Sequence, residues 1–474
     1  MNLADNIKKI KTNKIFQLLK STNNSICLVG GAVRDILSGK TPDEIFDFDI
    51  IVNDIPAKEF TKKFCEKNDV TTSITLDEEN NIYRIILPDK VSYIDVTNPI
   101  ENSFEADINR RDITINAIAY DIATEKLIDI TGGINDLENQ VIKAVREENL
   151  ADDPLRILRI FRFASTLGFN IDKDTEAMIN RYKHLVLSPA LERRNCEILK
   201  LFGGKNADNT IILMDKMGLI DILFPIILDV KKVPPNTHHH LDLFHHSIET
   251  VKQIQNIYEN SSKEVKEHLE SKDFGGETRL AHLKLAGFLH DIGKFSTWTI
   301  ENDGRHRFIR HDEIGADIAK GILTKQKFSK KQTEYISFII RHHMYPSSVV
   351  GSPNLNEKIY MRYIRKAGDN AIDLITIAKA DRLSARGKLV SDEMVEENIS
   401  KLNILQDFYI KTKPLLKPLP KLLDGNDIMH LLNIPPSKEL GDILQALKDA
   451  QIDGDIQTKE EAIKFIKEYS QKTL

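Results

Sequence analysis

"SICLVGGAVRDILSGKTPDEIFDFDIIV", residues 25–52, is the segment that decides the fold of the amino-terminal part of the chain. The apolar run before Gly30-Gly31 predicts a strand. The glycine pair predicts a turn, and the residues after it a helix. A second apolar run contains Asp47 and Asp49 one residue apart. Strand, turn, helix and strand in this order indicate a small α/β domain with both aspartates on its second strand.

Asp47 and Asp49 are predicted to point to the same side of that strand. Because side chains alternate across a β-strand, Phe46, Phe48 and Ile50 would face a core while the two carboxylates project together. Two carboxylates so placed can hold two divalent cations about 4 Å apart, the spacing that clamps the attacking and leaving oxygens in phosphoryl transfer. Oxygen ligands favour Mg²⁺ over softer metals. An amphipathic strand with a hydrated acidic face is the alternative.

The Gly30-Gly31 turn leads into a helix that carries Arg34. Glycine lets the backbone approach a ligand closely, and the amides at a helix N-terminus attract phosphate. The segment is neither a Walker A loop nor a GxGxxG fingerprint, and a glycine pair by itself is often an ordinary turn. Beside the carboxylate strand, the turn indicates a site where one element holds the phosphates of a triphosphate and the other holds the bridging metal.

Two later segments extend this candidate site. Asp95 lies at the centre of the strand predicted in "VSYIDVTNP" and could complete the metal shell, although a surface aspartate on an edge strand is the alternative. In "RRDITINAIAYD", Arg110 and Arg111 could bind phosphate in a bidentate manner. Asp112, next to them, could accept a hydrogen bond from a ribose hydroxyl.

The helix predicted in "ENLADDPLRILRIFRFASTLGF" carries three arginines at intervals of three residues. Pro154 suits the first helical position and Asp153 the N-cap, so capping is one explanation of this segment. Arg156, Arg159 and Arg162 nevertheless repeat along one side of the helix, beside an apolar stripe. Cytosine and adenine both present an amino donor beside a ring-nitrogen acceptor. An aspartate with an arginine, Asp153 with Arg156, would therefore accept these bases and reject guanine and uracil.

The composition is that of an ordinary globular protein. The 474 residues are 41% hydrophobic and 29% charged, enough for about three domains. Three isolated cysteines without a CxxC pair argue against a disulfide framework and fit a reducing cytosol. The amino-terminal residues lack the apolar region of an export signal, and no apolar run is long enough to span a bilayer. The net charge of -5 excludes a uniformly basic nucleic-acid binder, but it does not exclude a local basic groove.

Hydrophobic periodicity divides the rest of the chain. Helices alternate with short strands up to about Asp136, and the pattern is then helical to Pro225. Within it, "SPALERRNCEILKLF" predicts a helix with Ser188 as N-cap and Pro189 at the first helical position. The loop "KKVPPNTHHHLD" opens a histidine-rich helical region. The proline-punctuated segment 411–421 is predicted to be a non-helical linker or exposed arm, followed by short helices.

Histidines and aspartates recur in otherwise apolar helical segments of the second half. A lone histidine is usually structural, but several of them with two aspartates are difficult to explain by packing, because buried polar groups are costly unless paired or bound to metal. Imidazole and carboxylate ligands without thiolate suit Mn, Fe, Ni, Co or Zn. The histidine run 238–240 is interpreted as a loop and not as a ligand cluster. The candidate ligands are His246, His290, Asp291, His311, His342, His343 and Asp381.

Six motifs occur in a fixed order in the first half: "LVGGAVRD", "DFDI", "RRDITINAI", "GGINDL", "DDPLRILRIFRF" and "ERRNCEILK". In this order they resemble class II tRNA nucleotidyltransferases and bacterial poly(A) polymerases, which belong to the polymerase-beta-like superfamily. The resemblance implies transfer of CMP or AMP from CTP or ATP to an RNA 3′ end, with Mg²⁺ held by Asp47 and Asp49. It also implies that Glu192 and Arg193 brace the base-reading helix.

The same resemblance distributes roles over the nucleotide site. It implies that Gly30, Gly31 and Arg34 hold the triphosphate, that Arg111, Asp112 and Asn116 shape the sugar and phosphate site, and that Asp153 and Arg156 read the base. With Arg159 and Arg162 from the same helix, these residues form the predicted nucleotide-binding set. Asp47, Asp49 and Asp95 form the predicted catalytic set.

The histidine-rich half resembles the HD phosphohydrolase domain. The resemblance implies a minimal metal-ligand set of His246, His290, Asp291 and Asp381, extended by His311 and His343 as in two-metal members, with Lys294 near the phosphate. The expected fold is α+β with four parts: a polymerase-beta-like α/β head at 1–136, a helical neck with the base-reading helix at 137–225, an HD metal-dependent phosphohydrolase domain at 236–390 and a helical tail at 391–474.

Together these features predict an enzyme, a template-independent RNA nucleotidyltransferase. It would add C, A or both from CTP and ATP to the tRNA 3′ end, as a CCA-adding, CC-adding or A-adding variant, and its HD domain would hydrolyse phosphoester or cyclic phosphate ends. The expected cofactors are Mg²⁺ at the first site and Mn, Ni, Fe, Co, Zn or Mg²⁺ at the HD site. The tRNA acceptor stem is the expected partner, with no membrane and no obligate protein partner, in the cytoplasm. A poly(A) polymerase, or an HD phosphohydrolase as the principal activity, are the alternatives.

Overall fold

The structure is a computed structural model that describes residues 3–70, 72–237, 239–416 and 418–473. His238, part of the predicted histidine loop, lies outside the described residues. The chain divides into two compact units, Met1–Pro225 and Ile226–Leu474. In the described part of the chain, no helix combines the length and the apolar character needed to cross a membrane. Cys27, Cys65 and Cys196 are free thiols.

The first unit is built on one mixed β-sheet. Its strands are β1 (Ile26–Val29), β2 (Asp47–Val52), β3 (Thr72–Asp77), β4 (Ile82–Ile86), β5 (Tyr93–Thr97), β6 (Ala119–Asp121) and β7 (Lys126–Ile128). Within the described residues these seven strands lie in the order β3-β4-β5-β2-β1-β6-β7. Strands β2 and β5 are parallel and the other pairs antiparallel. The four strands that the sequence predicts, β1, β2, β4 and β5, are confirmed, whereas β3, β6 and β7 were not predicted.

Helices cover the sheet and form the rest of the first unit. They are α1 (Leu3–Thr12), α2 (Lys14–Lys20), α3 (Gly31–Leu37), α4 (Ala57–Lys67), α5 (Phe104–Asn109), α6 (Gly133–Glu138), α7 (Glu148–Asp152), α8 (Leu155–Leu167), α9 (Lys173–Tyr182), α10 (Leu191–Gly203), α11 (Ala207–Lys216) and α12 (Leu219–Leu223). The predicted all-helical neck also contains a short parallel pair, β8 (Val141–Ile142) with β9 (Asn170–Ile171). Two-residue strands are too short to show a period in the sequence.

Predictions for one core residue of β2 and for the start of α10 are wrong. Phe48 and Ile50 are buried as predicted, but Phe46 is 48% exposed, because β2 begins only at Asp47. Helix α10 begins at Leu191, after an N-cap without a side-chain bond, and not at residue 189. The Ser188 hydroxyl instead donates to the carbonyl oxygen of Leu185 at 2.8 Å, so this serine closes the preceding turn.

The second unit is helical. Its helices are α13 (Ile227–Val230), α14 (Leu243–Glu259), α15 (Lys263–Glu270), α16 (Arg279–Leu289), α17 (Lys294–Thr297), α18 (His311–Lys325), α19 (Lys330–His342), α20 (Tyr345–Val350), α21 (Glu357–Ala367), α22 (Ala371–Ser384), α23 (Asp392–Thr412), α24 (Gly425–Leu432), α25 (Lys438–Asp453) and α26 (Lys459–Thr473). A hairpin of β10 (Trp298–Ile300) and β11 (His306–Phe308) interrupts them and was not predicted.

The predicted linker is partly helical, which corrects the prediction. Helix α23 continues through residue 412, and Lys413–Leu415 form a 3-10 turn. The first proline of the segment lies at the start of that turn, where its missing N–H costs nothing. Beyond it, α24 to α26 bury an apolar core of their own around Ile428, Leu447 and Ile466. The mixed sheet of the head and the helical remainder confirm the predicted α+β class.

Candidate active sites

The three predicted catalytic aspartates lie together on two neighbouring parallel strands. Asp49 on β2 pairs in register with Asp95 on β5, and Asp47 lies two residues earlier on the same face. Each offers an oxygen, and these oxygens lie within 4.8 Å of one another. Burial and the adjacent Asp47 carboxylate raise the pKa of Asp49 to about 6. Carboxylates crowded in this way disfavour one another's charge unless a cation lies between them, so the donor set fits an oxygen-loving divalent cation.

Arg84 fixes the orientation of Asp95 and was missed by the sequence reasoning. Its Nε and Nη2 donate to the two carboxylate oxygens of Asp95, each at 2.7 Å. The guanidinium lies 3.7 Å from the ring centroid of Tyr93. Each oxygen of Asp95 keeps a further lone pair, so this bidentate pair positions the third carboxylate without removing it from the cluster.

Gly30 allows the Gly30-Gly31 turn, which is predicted to hold the triphosphate, to pass close to the carboxylates. Its φ of 75° and ψ of -140° suit glycine alone. A Cβ at this position would lie 3.0 Å from Oδ2 of Asp49 and 3.2 Å from Nη1 of Arg111. Gly31 begins α3, and Arg34 on that helix donates from Nη1 to Oδ1 of Asn116 at 2.6 Å. The predicted phosphate-holding and sugar-shaping residues are therefore neighbours in space.

A cavity of about 460 Å³ is lined by five of the ten predicted nucleotide-binding residues. Among its lining residues are five arginines and three aspartates, which makes the wall net positive and suited to a polyphosphate. Because Arg111 also lies beside Gly30 and Asp49, the cavity adjoins the carboxylate cluster. The charged lining residues are Asp107, Arg110, Arg111, Asp112, Asp153, Arg156, Arg159 and Arg193.

Asp112 organises one wall of this cavity. Its Oδ2 accepts from Nε of Arg159 at 2.8 Å, and its Oδ1 accepts from Nδ2 of Asn116 at 3.1 Å. Burial alone would raise the pKa of Asp112, but the charge of Arg159 and the hydrogen bonds lower it. The carboxylate that the sequence assigns to a ribose hydroxyl thus also holds two other members of the nucleotide set in place.

The predicted base-reading residues both line the cavity, with partners of their own. Helix α8 begins at Leu155 with Pro154 as its N-cap residue, so the predicted cap at Asp153 and first helical position at Pro154 lie one residue too early. Oδ1 of Asp153 nevertheless accepts from the amide of Leu155 at 3.2 Å. Its Oδ2 accepts from Nη2 of Arg193 at 3.0 Å, the bracing contact that the resemblance implies. Arg156 donates from Nη1 to the carbonyl of Asn149 at 3.0 Å. In the described chain no hydrogen bond or ion pair joins Asp153 to Arg156 directly, and each keeps free bonding capacity towards the cavity.

Arg162 is not among the residues that line the cavity. Its Nε lies 2.8 Å from Oε2 of Glu197, and its guanidinium lies 3.9 Å from the ring centroid of Phe163. The pair joins α8 to α10, a packing role that the sequence reasoning missed. The available signal was Glu197 itself, an acidic residue in the apolar stripe of "ERRNCEILK".

The histidine-rich unit brings the first four predicted ligands together. Nε2 of His246 lies 3.5 Å from Oδ2 of Asp291 and 3.1 Å from Oδ1 of Asp381. Nε2 of His290 lies 3.3 Å from the same oxygen of Asp291. Burial would lower the pKa of His290, but the two carboxylates raise it to about 10. A proton on this nitrogen and a metal ion would therefore compete for the same position.

A second group of ligands shares Asp291 with the first. Nε2 of His311 and of His343 lie 3.3 and 3.8 Å from Oδ1 of Asp291. Each carboxylate oxygen of Asp291 thus faces a different pair of imidazoles. A carboxylate that lies between two cations has this arrangement. His342 is not part of either group, and its ring contacts Phe338 instead. Lys294 Nζ lies 2.5 Å from Oδ2 of Asp291, within the same centre.

Hydrogen bonds fix which nitrogen of each ligand histidine faces the centre. Nδ1 of His290, His311 and His343 contacts the carbonyl oxygen three residues earlier, at 2.8, 2.8 and 2.7 Å. This bond leaves Nε2 as the ligand atom. The Nε2 atoms of these histidines and of His246, with Oδ1 of Asp291, are buried and without a hydrogen-bond partner among the described residues. Unpartnered buried polar atoms are costly, and metal ions at this point would satisfy all of them.

His239 also belongs to the surroundings of this centre. Its ring centroid lies 4.5 Å from that of His246, edge to face. The residue does lie in a loop, as predicted, and it is not in either ligand group. Its proximity to the centre was missed, because a loop residue seven positions before a ligand carries no periodic signal.

Comparisons with known proteins define the class of both units. Three family models match: the Poly A polymerase head domain at residues 26–143, the probable RNA and SrmB-binding site of polymerase A at 168–230, and the HD domain at 243–386. A carboxylate-bearing head of this type followed by an HD domain is the architecture of an HD-containing nucleotidyltransferase.

Full-length relatives give the family. The chain is 30% identical over 92% of both chains to the CC-adding tRNA nucleotidyltransferase of Thermus thermophilus. It is 28% identical, over 94% of this chain and 96% of the relative, to the A-adding tRNA nucleotidyltransferase of Deinococcus radiodurans. The fold is similar to that of the Bacillus stearothermophilus CCA-adding enzyme in complex with CTP, with 20% identity, a TM-score of 0.58 and coverage of 97% and 96%. The chain belongs to the tRNA nucleotidyltransferase family.

Proposed function

We propose that this chain adds C, A or both, from CTP and ATP, to the 3′ end of tRNA. The observation that carries the proposal is the register of β2 and β5, which puts three carboxylates side by side next to an arginine-lined cavity. Asp47 and Asp49 would hold Mg²⁺, which would supply activation of the RNA 3′-hydroxyl and stabilisation of the leaving pyrophosphate. Asp95, positioned by Arg84, completes the acidic cluster.

The arginines of the cavity bind and orient the nucleotide. Arg111 lies beside the carboxylates and places positive charge where the triphosphate meets the metal site. Arg159, held by Asp112, extends that charge along the cavity. Asp153 and Arg156 present an acceptor and a donor to the base, a combination that complements cytosine and adenine and leaves guanine and uracil with unpaired groups.

The similar proteins differ in the nucleotide that their names say they add, so an experiment must determine which nucleotide this chain adds. Relatives similar over nearly their whole length are named for CC addition and for A addition. CCA-adding enzymes such as that of Bacillus subtilis match over 41% of this chain, at 34% identity. Incorporation from CTP and ATP, separately and together, on tRNAs that lack three, two, one or none of the terminal CCA residues would distinguish the three variants. Long untemplated A tails on any RNA would indicate a poly(A) polymerase instead.

Substitution of the carboxylates tests the site. Asp49→Ala should abolish incorporation without unfolding the head, whereas Asp54→Asn, an exposed aspartate that bonds Asn24, should retain it. Full activity of Asp49→Ala would remove the cluster from the mechanism. Asp153→Ala should let UTP or GTP compete with CTP and ATP. Unchanged selectivity in that variant would mean that the base is read elsewhere.

A second activity is favoured by the histidine centre. We propose that the HD domain is a metal-dependent phosphohydrolase for phosphoester or cyclic phosphate ends, because its unpartnered imidazole nitrogens converge on Asp291. The donor set suits Mn, Ni, Fe, Co or Zn, or Mg²⁺. Hydrolysis of 2′,3′-cyclic phosphates by the full chain, tested with each metal, should be lost in Asp291→Asn. No hydrolysis by the unmodified protein with any of these metals would refute it.

Domain limits and location follow from the same proposal. The family matches support a head at 1–136, a neck at 137–225, an HD domain at 236–390 and a tail at 391–474. The free thiols and a tRNA substrate favour the cytoplasm.

A further inference from the structure

The HD domain contains a cavity that none of these roles uses. Its volume is about 450 Å³, a size that accommodates a small organic ligand. Among the described residues that line it there is no carboxylate, whereas three histidines, an arginine and a lysine are present. These are His239, His240, His306, Arg386 and Lys388.

The walls of the cavity continue the elements that carry the metal ligands. Residues 235–237 and 239–240 precede α14, the β10–β11 hairpin leads into α18, and residues 386–388 follow α22. The amide of Leu389 donates to the carbonyl oxygen of Thr237 at 3.0 Å and joins two of these loops. A ligand in the cavity would therefore contact loops that adjoin three of the helices that carry the metal ligands, α14, α18 and α22.

His239 lies between the cavity and the centre. It lines the cavity, and its ring centroid is 4.5 Å from that of the ligand His246. It also borders, with His246 and Lys294, a small void on the side of the centre. Its amide donates to Oδ1 of Asn236 at 3.1 Å, which holds the loop in this position. A ligand that fills the cavity would thus be separated from the metal ligands by one imidazole ring.

The chemistry of the wall selects an anion. Arg386 forms one ion pair, with Asp392 at 2.7 Å, and its side chain is 37% exposed, so further guanidinium donors remain for a ligand. Nδ1 of His306 is buried without a hydrogen-bond partner in the described chain. Arginine, lysine and imidazole donors around a space without carboxylates are the groups that recognise phosphate.

We propose that this cavity binds a second phosphate group, next to the one that the HD centre hydrolyses. The inference rests on the proposed phosphohydrolase activity and narrows its substrate to a phosphate-linked nucleotide. An RNA 3′ end and a nucleoside polyphosphate share this chemistry. A lone phosphomonoester would occupy the centre and leave the cavity empty.

Kinetics of the full chain test this assignment. The double variant Arg386→Ala/Lys388→Ala is compared with Arg362→Ala/Lys358→Ala, which removes the same two side-chain types from α21, away from the cavity. The substrates are a short RNA ending in a 2′,3′-cyclic phosphate, ATP and p-nitrophenyl phosphate. Loss of two charged contacts should raise KM for the RNA or for ATP at least about tenfold, with a smaller effect on p-nitrophenyl phosphate. The substrate whose KM rises in Arg386→Ala/Lys388→Ala identifies the source of the second phosphate.

The salt dependence provides a second measurement. If the RNA occupies the cavity, loss of the one phosphate bound there should make the plot of log KM against log salt shallower by about 0.7, the value per neutralised phosphate for single strands. The assignment is overturned if the unmodified protein hydrolyses these substrates and both double variants show the same KM and salt slope. Absence of hydrolysis in the unmodified protein would instead refute the phosphohydrolase, and this inference with it.

Discussion

Replacement of Gly30 by alanine tests whether the turn and the carboxylates form one site. The backbone at Gly30 has φ 75° and ψ -140°, a conformation that costs a side-chain-bearing residue about 1–3 kcal/mol. The new Cβ would lie 3.0 Å from Oδ2 of Asp49, where ordinary contacts begin at 3.4 Å. The carboxylate must therefore move by about 0.4 Å. A misplacement of 1 Å costs about a hundredfold in rate, so a shift of about 0.4 Å should lower incorporation by roughly sixfold.

Gly132→Ala is the matched control in the same unit. Gly132 has φ 78°, and no atom lies within 4 Å of its Cβ position. An alanine at this position would therefore have backbone strain but no close contact with another atom. Thermal melting should show a loss of stability in both variants, and CMP or AMP incorporation at saturating Mg²⁺ should fall only in Gly30→Ala. Equal incorporation by the two variants, corrected for the folded fraction, would refute the argument that Gly30 and Asp49 act at one site.

Three further substitutions, and a fourth that serves as a control, probe other parts of the structure. Arg84→Ala should lower incorporation about tenfold at limiting Mg²⁺ and less at saturation, because Asp95 loses its fixed orientation; a loss independent of Mg²⁺ would contradict this. His343→Gln should reduce the metal bound to the HD domain by one ion per chain in elemental analysis, and an unchanged metal content would exclude His343 as a ligand. Gly293→Ala should abolish the cooperative melting of the second unit, since its Cβ would overlap the backbone of α18. Gly321→Ala, in open space on α18, should instead raise the melting temperature, and similar melting of both glycine variants would contradict the clash.

The sequence predicted those parts of the site that depend on local periodicity. Alternation along one strand was enough to put Asp47 and Asp49 on the same face, and the apolar run around Asp95 predicted its strand. That β5 lies parallel to β2, with Asp95 directly beside Asp49, could not be predicted, because pairing and register depend on long-range contacts. The sequence therefore identified the three carboxylates, but it did not establish their contact.

The partners of the arginines were the least predictable part. Arg159 and Arg162 each lie between two apolar residues in the sequence, yet one lines the cavity and the other packs against Glu197. Three residues on a helix correspond to a rotation of about 300°, so successive arginines drift around the axis. Which of them faces a ligand depends on the position of α10, and a helical period contains no information about that position.

The two centres reach the same result, ligand atoms with a fixed direction, by different means. In the head, strand register sets the direction of the carboxylates. In the HD domain, His290 and His343 follow the last turns of α16 and α19, where backbone carbonyls lack amide partners within the helix. Each histidine uses Nδ1 to satisfy such a carbonyl and directs Nε2 at Asp291. One hydrogen bond thus completes a helix end and selects the tautomer, which explains why "HD" and "HH" lie where apolar helices stop.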